Sequence, residues 1–584
     1  MSTTVAPPPP TASRPAPPPV PGRLRTSIDR LTDRRGWGAR LGYLALVLFL
    51  GYLVVLPLYR LQALAFEDGA RGYDAQYSRP DIGSVIWTTV KLGGISLVIA
   101  MVLGTLLAFA VTRLPARFSW LRVIPVLPIV MPAIASVSGW AFLLSPGPGY
   151  LNAAFRTLPW WDHLESGPID VYTPTWIILL TGFGLTSFVY LFVSAGMAGI
   201  SAEHLEAAQT SGSSTVGVFF RVVLPLLRPS LVYGGGVALL LGLGQFTGPL
   251  LLGSNTGVKV LTTEMYRRVS ESPADFAAAA AAGSPLVILG LVVVLGQKAL
   301  LGNQSRFVTH GGKAFRSAPA RSWWAVSTVV VYGLVALVLP LLGLVAVALS
   351  PYWSETIQWD ALTLDNFREL LSTPDVIDSV VTSLVASSLA VAICVPLGFA
   401  MANLLVRGRR YTVLRLAGDL VTALPLGIPA VIFGVGFLLT YTQPPFILYG
   451  TRTVIVLVYV VLMLPFATRL QMTALLALGE TYAEASATSG ASSLVTNLRI
   501  ILPLMRPAIL SAVALMFILL THEFAASLLV RAPTTQVMGT RLYDLWANGF
   551  YPQVAAMALL MTVVTGLGVG VAMIIGGKNV LDNL

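Results

Sequence analysis

Few side chains of this sequence have the type and spacing that catalysis, metal binding or proton transfer requires. Glu523 lies in an apolar stretch with His522 beside it, and Gln245 occupies the matching position 278 residues earlier. An acid in such a stretch usually faces a cavity or hydrogen-bonds a neighbouring helix. No cluster of His, Cys and acidic residues has catalytic or metal-ligating spacing, and no G-x-x-x-x-G-K-[ST] loop is present to bind ATP. The sequence therefore predicts neither an enzyme nor a motor subunit.

The composition identifies the environment that positions these residues. Of 584 residues, 55% are hydrophobic and 11% charged, against roughly 25% charged in soluble domains. A backbone in lipid must satisfy its own hydrogen bonds, so an all-α polytopic membrane protein is predicted. About twelve apolar segments are long enough to cross a hydrocarbon core of about 30 Å, near residues 41–59, 86–112, 121–145, 175–199, 230–252, 279–301, 324–350, 378–404, 412–440, 452–475, 508–530 and 553–577.

The net charge of +11 would suit a nucleic-acid partner, but the positions of the basic residues along the chain indicate membrane topology instead. The segments Asn303–Arg321 and Arg407–Arg410 contain no acid, whereas Pro351–Asp378 carries six acids and one Arg. Basic loops favour the cytoplasmic side of a membrane. Both termini are therefore predicted to be cytoplasmic.

A long internal repeat divides the chain. Glu206–Leu231 aligns without a gap with Glu484–Ile509 at an offset of 278, and Leu127–Gly139 aligns with Leu424–Gly436 at an offset of 297. Six spans per half give two halves of the same orientation, which is typical of parallel repeats. The predicted divisions are a disordered Pro/Arg-rich tail (1–40), a first domain (41–301), a basic linker (302–323), a second domain (324–577) and a C-terminal tail (578–584).

The repeat begins with EAAQTSG in one half and EASATSG in the other. Good helix formers precede Gly212 and Gly490, glycine permits a positive φ, and the serines that follow can cap a second short helix. We expect a helical elbow on the inner face, suited to transmit a push from a soluble partner. An ordinary amphipathic loop helix is the alternative, which two equivalent copies make less favourable.

E-A-A/S-x-x-x-G followed by Leu-Pro resembles the EAA motif of permease subunits of bacterial binding-protein-dependent ABC importers, which have the type I importer fold. In that family the elbow docks in a groove of the ATPase. The resemblance implies ATPase-coupling roles for Glu206, Ala207, Gly212, Glu484, Ala485 and Gly490. Ser486 stands where the motif prefers Ala, a change of one hydroxyl that should not prevent docking.

Two permease domains in one chain, with His522–Ala532 in the eleventh span, are most similar to the fused permeases of ferric-iron importers. The resemblance implies a multi-pass protein of the bacterial inner membrane, an extracytoplasmic substrate-binding protein, and two copies of an ATPase that binds ATP and Mg. No cofactor is expected in this chain. Polyamine, thiamine or organophosphonate are alternative cargoes. A proton-coupled secondary transporter would explain twelve spans and Glu523 but not the paired elbows.

Gln245, His522 and Glu523 are predicted to line the translocation path or its gate. Hydrogen bonding between helices is the alternative role. Ferric iron would favour oxygen ligands such as Glu523, but one carboxylate does not make a metal site, so none is predicted.

Overall fold

A computed structural model gives the fold of residues 22–200, 208, 210–212, 214–301, 322–408 and 410–576, and these form helices without a strand. The helices of the first half are α1 (Gly22–Tyr77, interrupted by non-helical backbone at Glu67–Ala70), α2 (Ile82–Val111), α3 (Ala133–Leu144), α4 (Tyr150–Arg156), α5 (Pro174–Ala198), α6 (Arg228–Leu243), α7 (Leu261–Ser270) and α8 (Phe276–Leu301). Those of the second half are α9 (Trp323–Leu349), α10 (Asp365–Ser372), α11 (Pro374–Arg407), α12 (Thr412–Gly427), α13 (Ala430–Tyr441), α14 (Arg452–Leu478), α15 (Thr481–Thr488), α16 (Arg506–Thr521), α17 (Ala525–Val530), α18 (Met538–Ala547) and α19 (Tyr551–Gly576).

Shorter helical pieces connect these elements. They are Ala116–Val123, Leu127–Ile129, Thr215–Val218, Phe219–Val223, Leu224–Leu226, Pro249–Gly253, Ser254–Thr256, Trp359–Ala361, Ser493–Thr496, Asn497–Ile501 and Leu502–Leu504. Three of them, Phe219–Val223, Pro249–Gly253 and Asn497–Ile501, are π-helical, as is Leu334–Val338 within α9.

The prediction of an all-α polytopic protein is confirmed. In the described part of the chain, eight helices are long and apolar enough to cross a membrane, and four bent pairs raise the number to twelve if each pair is one span. Ala116–Ile129 meets α3 at 95°, and α12 meets α13 at 110°. Both corners contain a proline, Pro132 or Pro429, which disfavours α conformation in the residue before it.

The predicted boundaries of two spans are wrong. The apolar runs 230–252 and 508–530 are not continuous helices, because α6 ends at Leu243 and α16 ends at Thr521. The bent pairs in these regions begin earlier, at Phe219 and Ser493, and bend by 66° and 73°. Hydropathy does not show such breaks, since the residues on both sides of each break are apolar.

The start of the chain also differs from the prediction. Helix α1 begins at Gly22, so the last part of the 1–40 segment is helical rather than disordered. The prolines of this segment end at Pro21, which leaves the following residues free to form a helix. Residues 302–321 of the predicted linker (302–323) and the whole predicted C-terminal tail (578–584) lie outside the described residues.

The two halves repeat the same close helix contact. A Cβ on Gly104 of α2 would lie 2.8 Å from Val189 of α5, and a Cβ on Gly398 of α11 would lie 2.7 Å from Ala467 of α14. The glycines therefore allow each helix pair to approach closely, as small residues do between membrane helices.

Candidate coupling elbows and transport path

The second elbow has the geometry that its sequence predicts. Helix α15, which contains Glu484 and Ala485, is followed by Gly490 with φ of +79°. The Ser492 hydroxyl then accepts a hydrogen bond from the Val495 N–H at 3.4 Å and caps the next short helix. Ser486 is the buried residue of α15, and Glu484 and Ala485 are exposed. The elbow thus presents most of its first helix to the surroundings.

The first elbow has the same turn. Gly212 has φ of +82°, and the Ser214 hydroxyl accepts a hydrogen bond from the Gly217 N–H at 3.2 Å. Glu206 and Ala207 lie outside the described residues. The predicted positive φ is therefore confirmed at both glycines, while the coupling role of the six motif residues stays a prediction.

Ser486, the residue at which the second elbow differs from the motif, has a hydrogen-bond partner. The Ser486 hydroxyl forms a buried hydrogen bond with the Thr496 hydroxyl at 2.8 Å. At the equivalent positions of the first half stand Ala208 and Val218, an apolar pair. Both positions therefore differ between the two halves: they hold two hydroxyl side chains in the second elbow and two apolar side chains in the first. In each elbow the two residues are of the same chemical kind.

Each elbow is joined to a long helix of its own half. The ring of Phe219 packs on Phe109 of α2 with centroids 4.6 Å apart, and Arg113 lies over Phe109 at 4.3 Å. In the second half, Asn497 stands in place of Phe219, and its side-chain oxygen accepts a hydrogen bond from Arg407 of α11 at 3.1 Å. The two joints use different chemistry at equivalent positions.

Glu523 lies in the break between α16 and α17. Its Oε1 accepts a hydrogen bond from the Ala526 N–H at 2.8 Å, and its Oε2 accepts bonds from the Ser527 N–H at 3.0 Å and from the Ser527 hydroxyl. This carboxylate therefore caps the N-terminus of α17, where negative charge is favoured. The Ser527 hydroxyl also contacts the Tyr459 hydroxyl at 2.9 Å.

A cavity of about 330 Å³ lies between the halves, midway along α5. Gln245 and His522 both line it, and Gln245 Oε1 and His522 Nδ1 have no hydrogen-bond partner within the described chain. Its lining residues carry no charged side chain, and Glu523 is not one of them. The structure thus brings together two of the three predicted path residues, while the third bonds to its own helix.

The sequence did not identify the aromatic wall of this cavity, formed by Trp140, Phe183, Phe188 and Phe246. Phe183 and Phe188 lie in apolar α5 with no pattern that separates them from lipid-facing residues. Phe246 could have been found, because Phe524 stands 278 residues later beside the predicted path residues.

Two elbows with the same glycine turn in a duplicated helical bundle, and a cavity lined by residues of both halves, are typical of a polytopic transport subunit. Residues 44–303 and 394–577 match the model of the binding-protein-dependent transport system inner membrane component family, so the chain belongs to that family. It is the permease of an ABC importer, a transport subunit rather than an enzyme.

The similar proteins include permeases that match over most of the chain. The ferric transport system permease protein FbpB of Actinobacillus pleuropneumoniae is 25% identical over 550 residues, which cover 89% of this chain and 76% of that protein. The putative ferric transport system permease protein FbpB 1 of Haemophilus influenzae is 24% identical over 526 residues, covering 84% and 78%. A crystal structure of a bacterial alginate ABC transporter with its alginate-bound periplasmic protein is 20% identical, with a TM-score of 0.40 over 47% of this chain and 98% of that one.

Proposed function

We propose that this chain is driven by two copies of a separate ATPase, one docked at each elbow, and that it imports a solute delivered by an extracytoplasmic binding protein. The observation that carries this proposal is the duplicated elbow, with Gly212 and Gly490 in the same left-handed conformation. ATP and Mg would be bound by the ATPase. In this arrangement the elbows and both termini face the cytoplasm.

The surface of the second elbow supports a protein partner. Tyr482 and Leu494 are 48% and 68% exposed on the two short helices that flank Gly490. Large apolar side chains exposed on such short helices are available to bind a protein partner. Since each elbow packs on a long helix of its half, a displacement of the elbow by the ATPase would be passed to the bundle.

We propose ferric iron as the cargo, because two permeases that match over most of the chain are ferric transport permeases by name. Iron here is cargo rather than a resident metal, and the described residues contain no group of three or more His, Cys, Asp or Glu that could hold an ion. Polyamine, thiamine and organophosphonate are the alternative cargoes. The cap formed by Glu523 favours ATP-driven over proton-coupled transport, since its oxygens are engaged by α17.

The elbow glycines provide the test. A β-branched residue in the left-handed conformation is strained by on the order of 1 to 2 kcal/mol, and a Cβ at Gly212 or Gly490 meets no atom within 4 Å. Gly490→Val and Gly212→Val should therefore tilt the elbow without a clash inside the bundle. We expect less ATPase to co-purify with each variant, or hydrolysis no longer coupled to uptake.

Gly549 supplies a matched control. It has φ of +78° and equally open space around its Cβ, but it lies between α18 and α19, away from both elbows. Gly549→Val should carry the same backbone strain and leave ATPase association at the wild-type level. Wild-type co-purification and substrate-stimulated hydrolysis in both elbow variants would show that the elbows are not the coupling surface.

A further inference from the structure

Four aromatic rings meet where the two halves touch beside the cavity. The ring centroids of Phe246 and Phe524 lie 5.6 Å apart, and those of Tyr266 and Tyr543 lie 6.2 Å apart, so both pairs cross between the halves. Within each half, phenylalanine and tyrosine rings are 5.7 Å apart. Phe246 lines the cavity and is 3% exposed, and Phe524 is 4% exposed. Phe246 therefore forms part of the cavity wall, and the other three rings pack beside it in one cluster.

The tyrosines lie on α7 and α18, which are docked in the same way in the two halves. The Leu261 N–H at the start of α7 donates to the Thr89 hydroxyl at 3.0 Å, and the Met538 N–H at the start of α18 donates to the Ser383 hydroxyl at 2.8 Å. The first elbow precedes the N-terminus of α6, and α7 follows the C-terminus of α6. The rings thus lie on the side of the cavity opposite the elbows.

Ion pairs hold α7 to its own half. The Glu264 carboxylate is buried and contacts Arg79, which precedes α2, as well as Arg267 and Arg268 of α7 itself, with Arg268 Nε at 3.2 Å from Oε1. Burial raises the pKa of this carboxyl, but hydrogen bonds and charge from Arg267 and Arg79 outweigh burial and hold its pKa below the ordinary value. Glu264 therefore stays ionised and keeps α7 fixed beside the start of α2.

The second half has a corresponding network with the charges exchanged. Arg531 donates two hydrogen bonds to the Asp544 carboxylate, both at 2.8 Å, and so holds α18 to the end of α17. Arg541 stands where α7 has Glu264, and its partner is Asp375 at the start of α11, at 4.0 Å. Each of the two helices therefore has an ion pair with a residue that precedes or begins a long helix of its own half.

We propose that Phe246, Tyr266, Phe524 and Tyr543 form the gate between the cavity and the side opposite the elbows, and that the two ion-pair networks are positioning groups for it. The ring contacts that join α7 to α18 are weaker than the charged hydrogen bonds that hold each helix to its own half. The gate would then open between the halves, with each Phe–Tyr pair moving as one body. The direction of passage through it rests on the proposed function.

Thiol labelling tests the gate with a readout that needs neither ATP hydrolysis nor cargo transport. Ser136 lines the cavity, so Ser136→Cys in a Cys394→Ala background is the reporter, exposed in intact cells to an impermeant methanethiosulfonate added outside. We expect slow labelling with all four rings present. Phe246→Ala combined with Phe524→Ala should raise the labelling rate roughly tenfold, the change expected for loss of one or two favourable ring contacts.

Further variants separate the gate from a general loss of structure. If the double alanine variant folds poorly, the double leucine variant at the same positions keeps most of the volume and should still label faster. Asp544→Asn should raise the rate with all rings present, and Asp544→Glu should restore it. Trp160→Ala removes an exposed ring outside the cluster and should change nothing.

Labelling of the Ser136→Cys reporter at the parental rate in the alanine and leucine variants would overturn the gate. An unchanged rate in Asp544→Asn would overturn the positioning role of the ion pairs. Because labelling needs no ATP hydrolysis, failure of the ATPase to dock at the elbows would leave both results readable.

Discussion

We expect Glu523 to be required mainly for the stability of the broken helix in the second half. Glu523→Ala removes three hydrogen-bond acceptor contacts, to the Ala526 N–H and to the N–H and hydroxyl of Ser527. A helix cap contributes about 0.5–2 kcal/mol, and leaving buried donors unpaired costs about 1–3 kcal/mol. The expected loss is therefore on the order of 2 to 4 kcal/mol, since the Ser527 hydroxyl keeps its contact with Tyr459.

The assay is the yield of monodisperse complex after a heating series, followed by ATPase activity and uptake of the surviving fraction. Glu523→Gln keeps one acceptor oxygen and should show an intermediate loss. Gln245→Ala is the matched control, because Gln245 Oε1 faces the cavity without a hydrogen-bond partner in the described chain. That variant should keep its yield and lose uptake.

A normal heating profile for Glu523→Ala with reduced uptake would show that the carboxylate acts in the path instead. Normal yield together with full uptake would contradict both roles.

In a background whose native cysteine is replaced by alanine, Ser354→Cys should be labelled by an impermeant reagent outside intact cells and Ser317→Cys should not; the opposite result would invert the orientation. Ser486→Ala or Thr496→Val alone should destabilise the second elbow by about 1 kcal/mol, whereas the double variant, which reproduces the apolar pair of the first elbow, should be near wild type. Stability would be measured as the thermal midpoint of unfolding. A midpoint that falls as far in the double variant as in the single variants would contradict the matched-pair account. Because folding lowers the pKa of Glu264, its stabilisation is present above its unfolded pKa of about 4.3 and is lost as the pH falls through the lowered value. Glu264→Gln should therefore lower the thermal midpoint at pH 7 and match wild type in acid, and a loss independent of pH would contradict this.

The sequence was informative where it repeated itself. Gly212 and Gly490 stand at equivalent places between helix-forming and capping residues, and that local pattern determines the left-handed turn found at both. Eight of the predicted spans correspond to single long apolar helices, because membrane thickness sets the length of apolar segments, and the count of twelve is reached only if each of four bent pairs is one span.

The sequence could not show how the central segments break. Residues 230–252 and 508–530 are apolar on both sides of the breaks, so composition predicts a continuous helix where the structure ends α6 and α16. The Glu523 cap forms only after the break exists. The meeting of Tyr266 with Tyr543 depends on the packing of two halves that are distant in sequence, and local patterns carry no information on it.

The central claim is that a separate ATPase, acting on both elbows, drives transport through this chain. Purified chain would be reconstituted in proteoliposomes with and without the ATPase, with ATP-Mg on the elbow side and the ferric-loaded binding protein on the other. The account predicts iron uptake that requires both ATP and the ATPase and is lost in the Gly212→Val, Gly490→Val double variant. Uptake by the chain alone, driven by a proton gradient without ATP, would contradict it.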